Sequence, residues 1–176
     1  MNQQSANAYL DDMGLTMATG PASTMATDGS PADISWENID GVSYYTQTLA
    51  AQATDEASHS LLGKQGSVLF DQLQSASCHV PSQRTGNNQQ AVAKVINHQT
   101  IWAYTDLLLH EIGPGLDDGF AEEGLSLSSQ WRTPTLWGLA MTQTQRVNRQ
   151  ASFLHDGRAR SIEEAIIWHA GEASTA

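Results

Sequence analysis

The chain has 176 residues, of which 19 are acidic and 8 basic, so its net charge at pH 7 is −11. This charge argues against nucleic acids and anionic membranes as partners, because both would be repelled, whereas a basic partner protein would be compatible with it. The length suits one domain, and the scarcity of Val and of alternating strand patterns favours an α-rich fold with long loops.

Residues 1–30 are rich in Ala, Ser, Thr, Gly and Met without apolar periodicity, which predicts an extended or poorly ordered lead-in. The sequence carries no export signal, and no apolar run reaches the roughly 18 to 20 residues that a membrane span needs. The motif Ser30-Pro31-Ala32-Asp33 then predicts a helix with Ser30 as its N-cap and Pro31 at its first position.

The next predicted helix leads directly into the only cysteine of the chain. Its apolar residues recur at helical spacing and are Leu61, Leu62, Val68, Leu69, Phe70 and Leu73. Gly63 and Gly66 lower its intrinsic propensity but would allow a second helix to approach closely. The segment that follows this helix reads Ser75-Ala76-Ser77-Cys78-His79.

This segment differs in one residue from a c-type haem attachment motif. In C-x-x-C-H, two thiols bond the haem vinyl groups and the histidine ligates the iron. Ser75 stands where the first thiol would be, and a hydroxyl forms no thioether, so only Cys78 can supply a covalent link. The alternative is that Cys78 is a small buried hydrophobe beside an incidental histidine.

A polar loop over residues 80–98 precedes a short apolar segment, Thr105 to Ile112, which ends at Gly113-Pro114-Gly115. We expect His110 to close an apolar helix there and to cap it. Because no second histidine follows Glu111 at zincin spacing, a zinc hydrolase is not supported.

The last predicted helix opens with a capping box, Ser161-Ile162-Glu163-Glu164. His169 lies seven residues after Ile162, so it falls on the apolar stripe of that helix. A histidine in this position is expected to be a core residue held by one hydrogen bond, or a distal iron ligand if a haem lies nearby.

Five of the eight basic residues lie between positions 132 and 160. Arg132 and Arg158 are the first candidates to hold haem propionates through charge-assisted bonds, and the alternative is a solvated face paired with acidic residues. We expect His155 to bond the backbone of its own turn, with iron ligation as the alternative. Core packing is expected for most of four tryptophans, which are Trp102, Trp131, Trp137 and Trp168.

Four blocks of the sequence resemble a known family in order and spacing. They are GSVLFDQLQSASCH (residues 66–79), AYTDLLLHEIGPGLDDG (103–119), WRTPTLWG (131–138) and FLHDGRARSIEEAIIWHAGEA (153–173). The family is that of the bacterial di-haem cytochrome c oxidoreductases often labelled thiol oxidoreductases, which are related to di-haem cytochrome c peroxidases.

The resemblance implies an all-α, cytochrome c-like haem domain with long irregular loops over residues 31–176, truncated at its C-terminus. It implies one haem c on a single thioether from Cys78, with His79 as proximal and His169 as distal iron ligand. Met141 is the alternative distal ligand. The resemblance also implies a periplasmic location.

Only the C-terminal one of the family's two haem domains is represented, and two further family cysteines correspond to Ser23 and Ser30. The resemblance therefore implies a one-electron relay that exchanges electrons with a redox partner. Peroxidase action is not expected, because it needs a second haem as an electron store. The competing hypothesis is a degenerate, haem-free structural or partner-binding domain, which Ser75 favours.

Overall fold

The computed structural model describes residues 2–17, 25–51, 53–54, 56–89, 91–120, 127–139, 141 and 152–174. Four α-helices lie wholly within these ranges: α1 (Asn2–Met13), α2 (Trp36–Gln47), α3 (Leu61–Gln72) and α4 (Ile162–Trp168). No helix among the described residues is long and apolar enough to span a membrane. Ser23, which corresponds to a family cysteine in the resemblance described above, lies outside the described residues.

Two small antiparallel sheets accompany the helices, so the fold is mixed α and β and the all-α prediction is wrong. Strand β1 (Gln83–Arg84) pairs with β2 (Thr100–Ile101), and β3 (Leu109–Glu111) pairs with β4 (Gln130–Arg132). Each strand has only two or three residues, whereas an alternating pattern becomes readable over about four to eight. The segment expected to form an apolar helix ending at His110 contains β3 instead.

By its contacts the chain divides into two compact units. The first comprises Met1–Ala51 with Asn88–Ile96, and the second comprises Gln52–Asn87 with Asn97–Ala176. These units do not follow the predicted boundary at residue 30. The residues singled out for haem chemistry all belong to the second unit.

In the first unit, α1 packs against α2 around a small core. Ala6, Met17 and Ile39 are buried there, and the Ser43 hydroxyl lies 3.0 Å from the Ser5 hydroxyl. The extended lead-in expected over residues 1–30 is therefore helical in its first part. Burial of this apolar surface explains the helix better than its weak local propensity does.

Helix α2 begins five residues later than the predicted start at Pro31. Ser35 is its N-cap, and the Ser35 hydroxyl accepts a hydrogen bond from the Asn38 N–H. Asp33, expected within the first turn, instead accepts hydrogen bonds from the N–H and the hydroxyl of Thr16, at 2.9 and 2.8 Å. This bond to another segment keeps residues 31–34 out of the helix.

In the second unit, helix α3 confirms the prediction made from its apolar spacing. The Ser60 hydroxyl caps it by accepting the Gly63 N–H at 3.1 Å. A Cβ on Gly63 would lie 2.5 Å from the Ser58 carbonyl oxygen, so this glycine admits the preceding 3₁₀ turn and not a second helix. Most of the apolar residues of α3 are exposed: Leu61, Leu62, Val68 and Leu69.

Candidate functional site

A single turn after α3 presents Cys78 and His79. Residues Ser75–Ser77 form a 3₁₀ turn, and the His79 N–H donates to the Ser75 carbonyl oxygen at 2.9 Å. This closes the five-residue motif into a compact turn in which Ser75, Cys78 and His79 are all half-buried. The turn brings the Ser75 hydroxyl, the Cys78 thiol and the His79 imidazole close together in the chain.

The Cys78–His79 turn is fixed by a neighbouring irregular segment over residues 104–106. The Asp106 N–H donates to the Cys78 carbonyl oxygen at 3.0 Å, and the Thr105 N–H donates to the Val80 carbonyl oxygen at 2.9 Å. Phe70 of α3 packs edge-on against Tyr104, with ring centroids 5.6 Å apart. These contacts determine where the His79 ring lies.

The His79 imidazole has a defined tautomer. Its Nδ1 lies 3.0 Å from the Tyr104 carbonyl oxygen, which can only accept, so Nδ1 carries the proton and Nε2 keeps its lone pair. Burial lowers the pKa of His79 and outweighs the Tyr104 hydrogen bond, which favours the protonated ring, and protonation of His169 would lower this pKa further. His79 is therefore neutral at pH 7, which is the form that ligates a metal.

His169 follows α4 as its C-cap and is not a residue of the helix interior. Its Nδ1 lies 2.7 Å from the Ala165 carbonyl oxygen, so Nδ1 again donates and Nε2 keeps its lone pair. The ring is half-buried, whereas Ile162 and Ile166 of the same stripe are 40% and 62% exposed. The expectation of a histidine on a buried apolar stripe is therefore wrong.

The predicted capping box is present in a modified form. The Ser161 hydroxyl accepts the Glu164 N–H at 3.1 Å, as expected. The Glu164 carboxylate, however, accepts the N–H of Arg160 at 2.8 Å, one residue before the cap. Both bonds fix the start of α4, and thereby the position of His169 at its end.

His110 is held between two carboxylates. Its Nε2 lies 2.8 Å from Asp106 Oδ2, and its Nδ1 lies 2.9 Å from Glu172 Oε2. The Cys78 Sγ is 3.7 Å from the same Nδ1. Since both ring nitrogens face carboxylate oxygens, His110 has no lone pair to offer a metal in this arrangement.

The two carboxylates and the His110 ring change one another's pKa values. The Glu172 hydrogen bond raises the pKa of His110 against the effect of burial, and Asp106 raises it further. Burial of Asp106 is outweighed by the Leu108 N–H and by His110, so the pKa of Asp106 is lowered. The pKa of Glu172 is lowered by the Glu111 N–H and by His110.

This cluster predicts a loss of stability as the pH rises above 6.5. A raised pKa means that His110 stabilises the fold fully below its unfolded value of 6.5, and that this stabilisation is lost as the pH passes through the folded value. His79 has a lowered pKa, so its contribution to stability changes only below pH 6.5, where it is lost as the pH falls. Urea unfolding measured between pH 6.5 and 9 should show the loss, and His110→Gln should remove it. An equal slope in that variant would contradict the assignment.

A close backbone contact holds the turn that follows His169. Gly171 has φ of +58°, and a Cβ there would lie 2.9 Å from Gly113 N and closer still to the Glu111 carbonyl oxygen. The Ala170 N–H donates to the Ile112 carbonyl oxygen at 3.3 Å, and the Glu111 N–H donates to Glu172 Oε1 at 3.0 Å. The turn is thereby attached to β3 and the residues just after it.

The two candidate propionate ligands differ in their surroundings. Arg158 binds Asp156 and the Gly115 carbonyl oxygen and lies over the Trp168 ring, 4.9 Å from its centroid. Arg132 is exposed on β4. Arg146 and Arg149, the other arginines of the cluster apart from Arg160, lie outside the described residues.

The remaining candidates lie elsewhere than expected. Met141 is 41% exposed and its N–H donates to the Gly138 carbonyl oxygen. His155 stacks on Trp131 with ring centroids 3.5 Å apart, a contact that sequence reasoning missed. The prediction that most of the four tryptophans pack in the core is wrong. All four lie within the described residues, none of them is buried, and Trp102 is 50% exposed.

The donor set of the second unit fits a haem with one thioether. Two imidazoles each keep a bare Nε2, and one thiol lies beside the first of them. The described residues contain no group of three or more His, Cys, Asp or Glu side chains arranged to hold a metal ion. A haem iron does not need such a group, because the porphyrin supplies four ligands and the protein supplies the axial ones.

Comparisons with known proteins agree with this chemistry at the level of the family. No curated protein and no solved structure matches the chain. The model of one protein family, described as "Di-haem oxidoreductase, putative peroxidase", matches residues 3–176. That match covers nearly the whole chain and confirms the resemblance seen in the four sequence blocks, and the chain therefore belongs to the di-haem oxidoreductase family.

Proposed function

We propose that the second unit binds one haem c and relays single electrons, and that His79 and His169 would be the residues that ligate its iron. The observation that supports this most is the matching state of the two imidazoles. In each, Nδ1–H donates a hydrogen bond to a backbone carbonyl oxygen, and the Nε2 lone pair remains available for a metal. Protonation of His169 would lower the pKa of His79, so the two side chains lie within electrostatic range of each other.

The proposed roles follow from what each residue can bind. When bound, the haem supplies a one-electron redox couple. Two histidine ligands suit such a couple, because imidazole binds iron in both oxidation states and no ligand change is needed. Tyr104 orients the proximal ring by accepting from Nδ1, in the way that outer partners fix a ligating histidine.

Cys78 would form the single covalent link. It is the only cysteine in the chain, so a second haem c cannot be attached covalently within it. Arg132 is the favoured partner of the haem propionates, because its guanidinium is exposed on β4 whereas Arg158 already binds Asp156.

The setting of this relay is also part of the proposal. Attachment of haem c and the character of the family favour a periplasmic location. The net charge of −11 favours a basic redox partner, because opposite charges speed the encounter of the two proteins.

A second candidate function is a haem-free partner-binding domain. Ser75 favours it, because the motif has lost one of the two thiols that hold a haem c. The two candidates differ in whether Cys78 becomes modified, and this can be measured directly.

The deciding experiment is production of the protein together with the haem-attachment machinery. We expect a Soret band that survives acid–acetone extraction and an intact mass increased by one haem. The control is Cys78→Ser, which should lose the retained haem while keeping the fold. A colourless wild-type protein of unmodified mass would overturn the haem proposal and favour the second candidate.

Replacing Ser75 with Cys tests the single link. Ser75 precedes Cys78 by the spacing of the first thiol, and the 3₁₀ turn keeps both half-buried. We expect a second thioether and a shift of the reduced α-band of the pyridine haemochrome towards the two-link position. An unshifted band with haem still attached would show that residue 75 does not face a vinyl group.

A further inference from the structure

A continuous chain of hydrogen bonds joins the Cys78–His79 turn to the turn that follows His169. Its central members are Asp106, His110 and Glu172, which we call the His110 bridge. They come from two separate parts of the sequence, because Asp106 and His110 are four residues apart whereas Glu172 lies 62 residues after His110. Neither carboxylate belongs to the proposed ligand set.

At one end, the bridge is attached to the Cys78–His79 turn. The Asp106 backbone N–H donates to the Cys78 carbonyl oxygen at 3.0 Å, and its carboxylate accepts from His110 Nε2 at 2.8 Å. The side chains of Asp106 and His110 are only 12% and 17% exposed, so solvent competes little for this bond.

At the other end, the bridge is attached to the turn that follows His169, residues Gly171–Ser174. His110 Nδ1 donates to Glu172 Oε2 at 2.9 Å, while Glu172 Oε1 accepts the Glu111 N–H at 3.0 Å. Glu172 is three residues from His169, and the intervening Gly171 lies against the backbone of Glu111 and Gly113. Only a short and closely packed stretch of backbone therefore separates Glu172, the partner of His110, from His169.

We propose that His110 is a positioning residue that fixes the separation of the His79 and His169 imidazoles by binding one carboxylate from each side. The inference rests on the proposed function, since its purpose is to keep both Nε2 atoms at the spacing that one iron atom requires. Loss of the bridge would then loosen the turn that follows His169 without changing His79 or His169 itself.

The first test uses the protein without haem and reads the coupling directly. Asp106→Asn removes the charge at the end of the bridge far from His169. We expect about tenfold faster hydrogen exchange of the Ala170 amide in this variant, the increase that loss of one charge-assisted hydrogen bond allows. Asp156→Asn is the matched control, because it breaks another carboxylate pair of the same unit, with Arg158.

The same variants separate the bridge from a general weakening of the unit. In an Asp106→Asn, Glu172→Gln cycle, the shifts in the urea midpoint should be smaller together than their sum, and they should become additive when His110 is replaced by Ala. Additive shifts with His110 present, or an Ala170 exchange rate equal to that of wild type, would overturn the proposal.

The second test uses the haem-loaded protein and reads the iron. Glu172→Gln and His110→Ala should raise the high-spin fraction and speed cyanide binding about tenfold, whereas Asp156→Asn should leave both unchanged. His110→Gln, which keeps an amide donor, should restore part of the low-spin signal. Unchanged spin state and cyanide rate in both bridge variants would contradict the positioning role. A wild type without haem would refute the proposed function alone, and the exchange and midpoint data would still decide the coupling.

Discussion

Replacing Gly171 with Ala is expected to destabilise the second unit more than any other single methyl group added to a described glycine there. The φ of +58° alone costs an L-residue about 1–2 kcal/mol. The added Cβ would also overlap the Glu111 carbonyl oxygen and approach Gly113 N to 2.9 Å. Since both contacts are backbone atoms, neither can rotate away, and the turn after His169 must shift. Urea unfolding of the whole chain measures the loss.

Gly119→Ala is the matched control for this experiment. Gly119 has a similar φ of +75°, but a Cβ there would meet nothing within 4 Å. It should therefore show the conformational cost without the overlap. If both variants lose the same free energy of unfolding, the close approach of Gly171 to Glu111 contributes nothing and this account of the turn is wrong.

Replacing His169 with Ala is expected to convert a low-spin haem spectrum to a high-spin one. The reason is that the substitution removes one of two imidazoles whose Nε2 is free to ligate, while Tyr104 still orients the other. The opened position should admit cyanide. His169→Met should remain low-spin at a higher potential, because a thioether ligand favours reduced iron.

The control for this prediction is His155→Ala. His155 is exposed and stacks on Trp131, so its loss should leave the spin state unchanged. A low-spin spectrum that persists in His169→Ala would assign the distal position to another residue, and Met141 would then be the first to test. The absorption spectrum and electron paramagnetic resonance both report the outcome.

The elements that the sequence predicts well are those whose stabilising groups are close in the chain. Helix α3 and the Ser161 cap depend on neighbours within a few residues, so local pattern suffices. Strand β3 could not be predicted, because its partner β4 begins about twenty residues later and each has only three residues. Its apolar sequence is equally compatible with a helix.

The candidate site divides in the same way. Cys78 and His79 are recognisable because porphyrin chemistry fixes their spacing. The bridge to Glu172 spans 62 residues and depends on the fold, so no sequence signal identifies it. Asp106 and His110 are only four residues apart, but the backbone between them is not helical, because Leu107 has a φ of +63° and Leu109–Glu111 form β3.

The Cys78–His79 turn is made almost entirely by main-chain groups. Its bonds run from His79 N–H to Ser75, from Asp106 N–H to Cys78 and from Thr105 N–H to Val80. None of them depends on the identity of the side chain at position 75. A hydroxyl or a thiol at that position would therefore leave the shape of the loop unchanged. It follows that folding of this loop places little constraint on position 75, so that the chemistry of that side chain can change while the backbone around it stays the same.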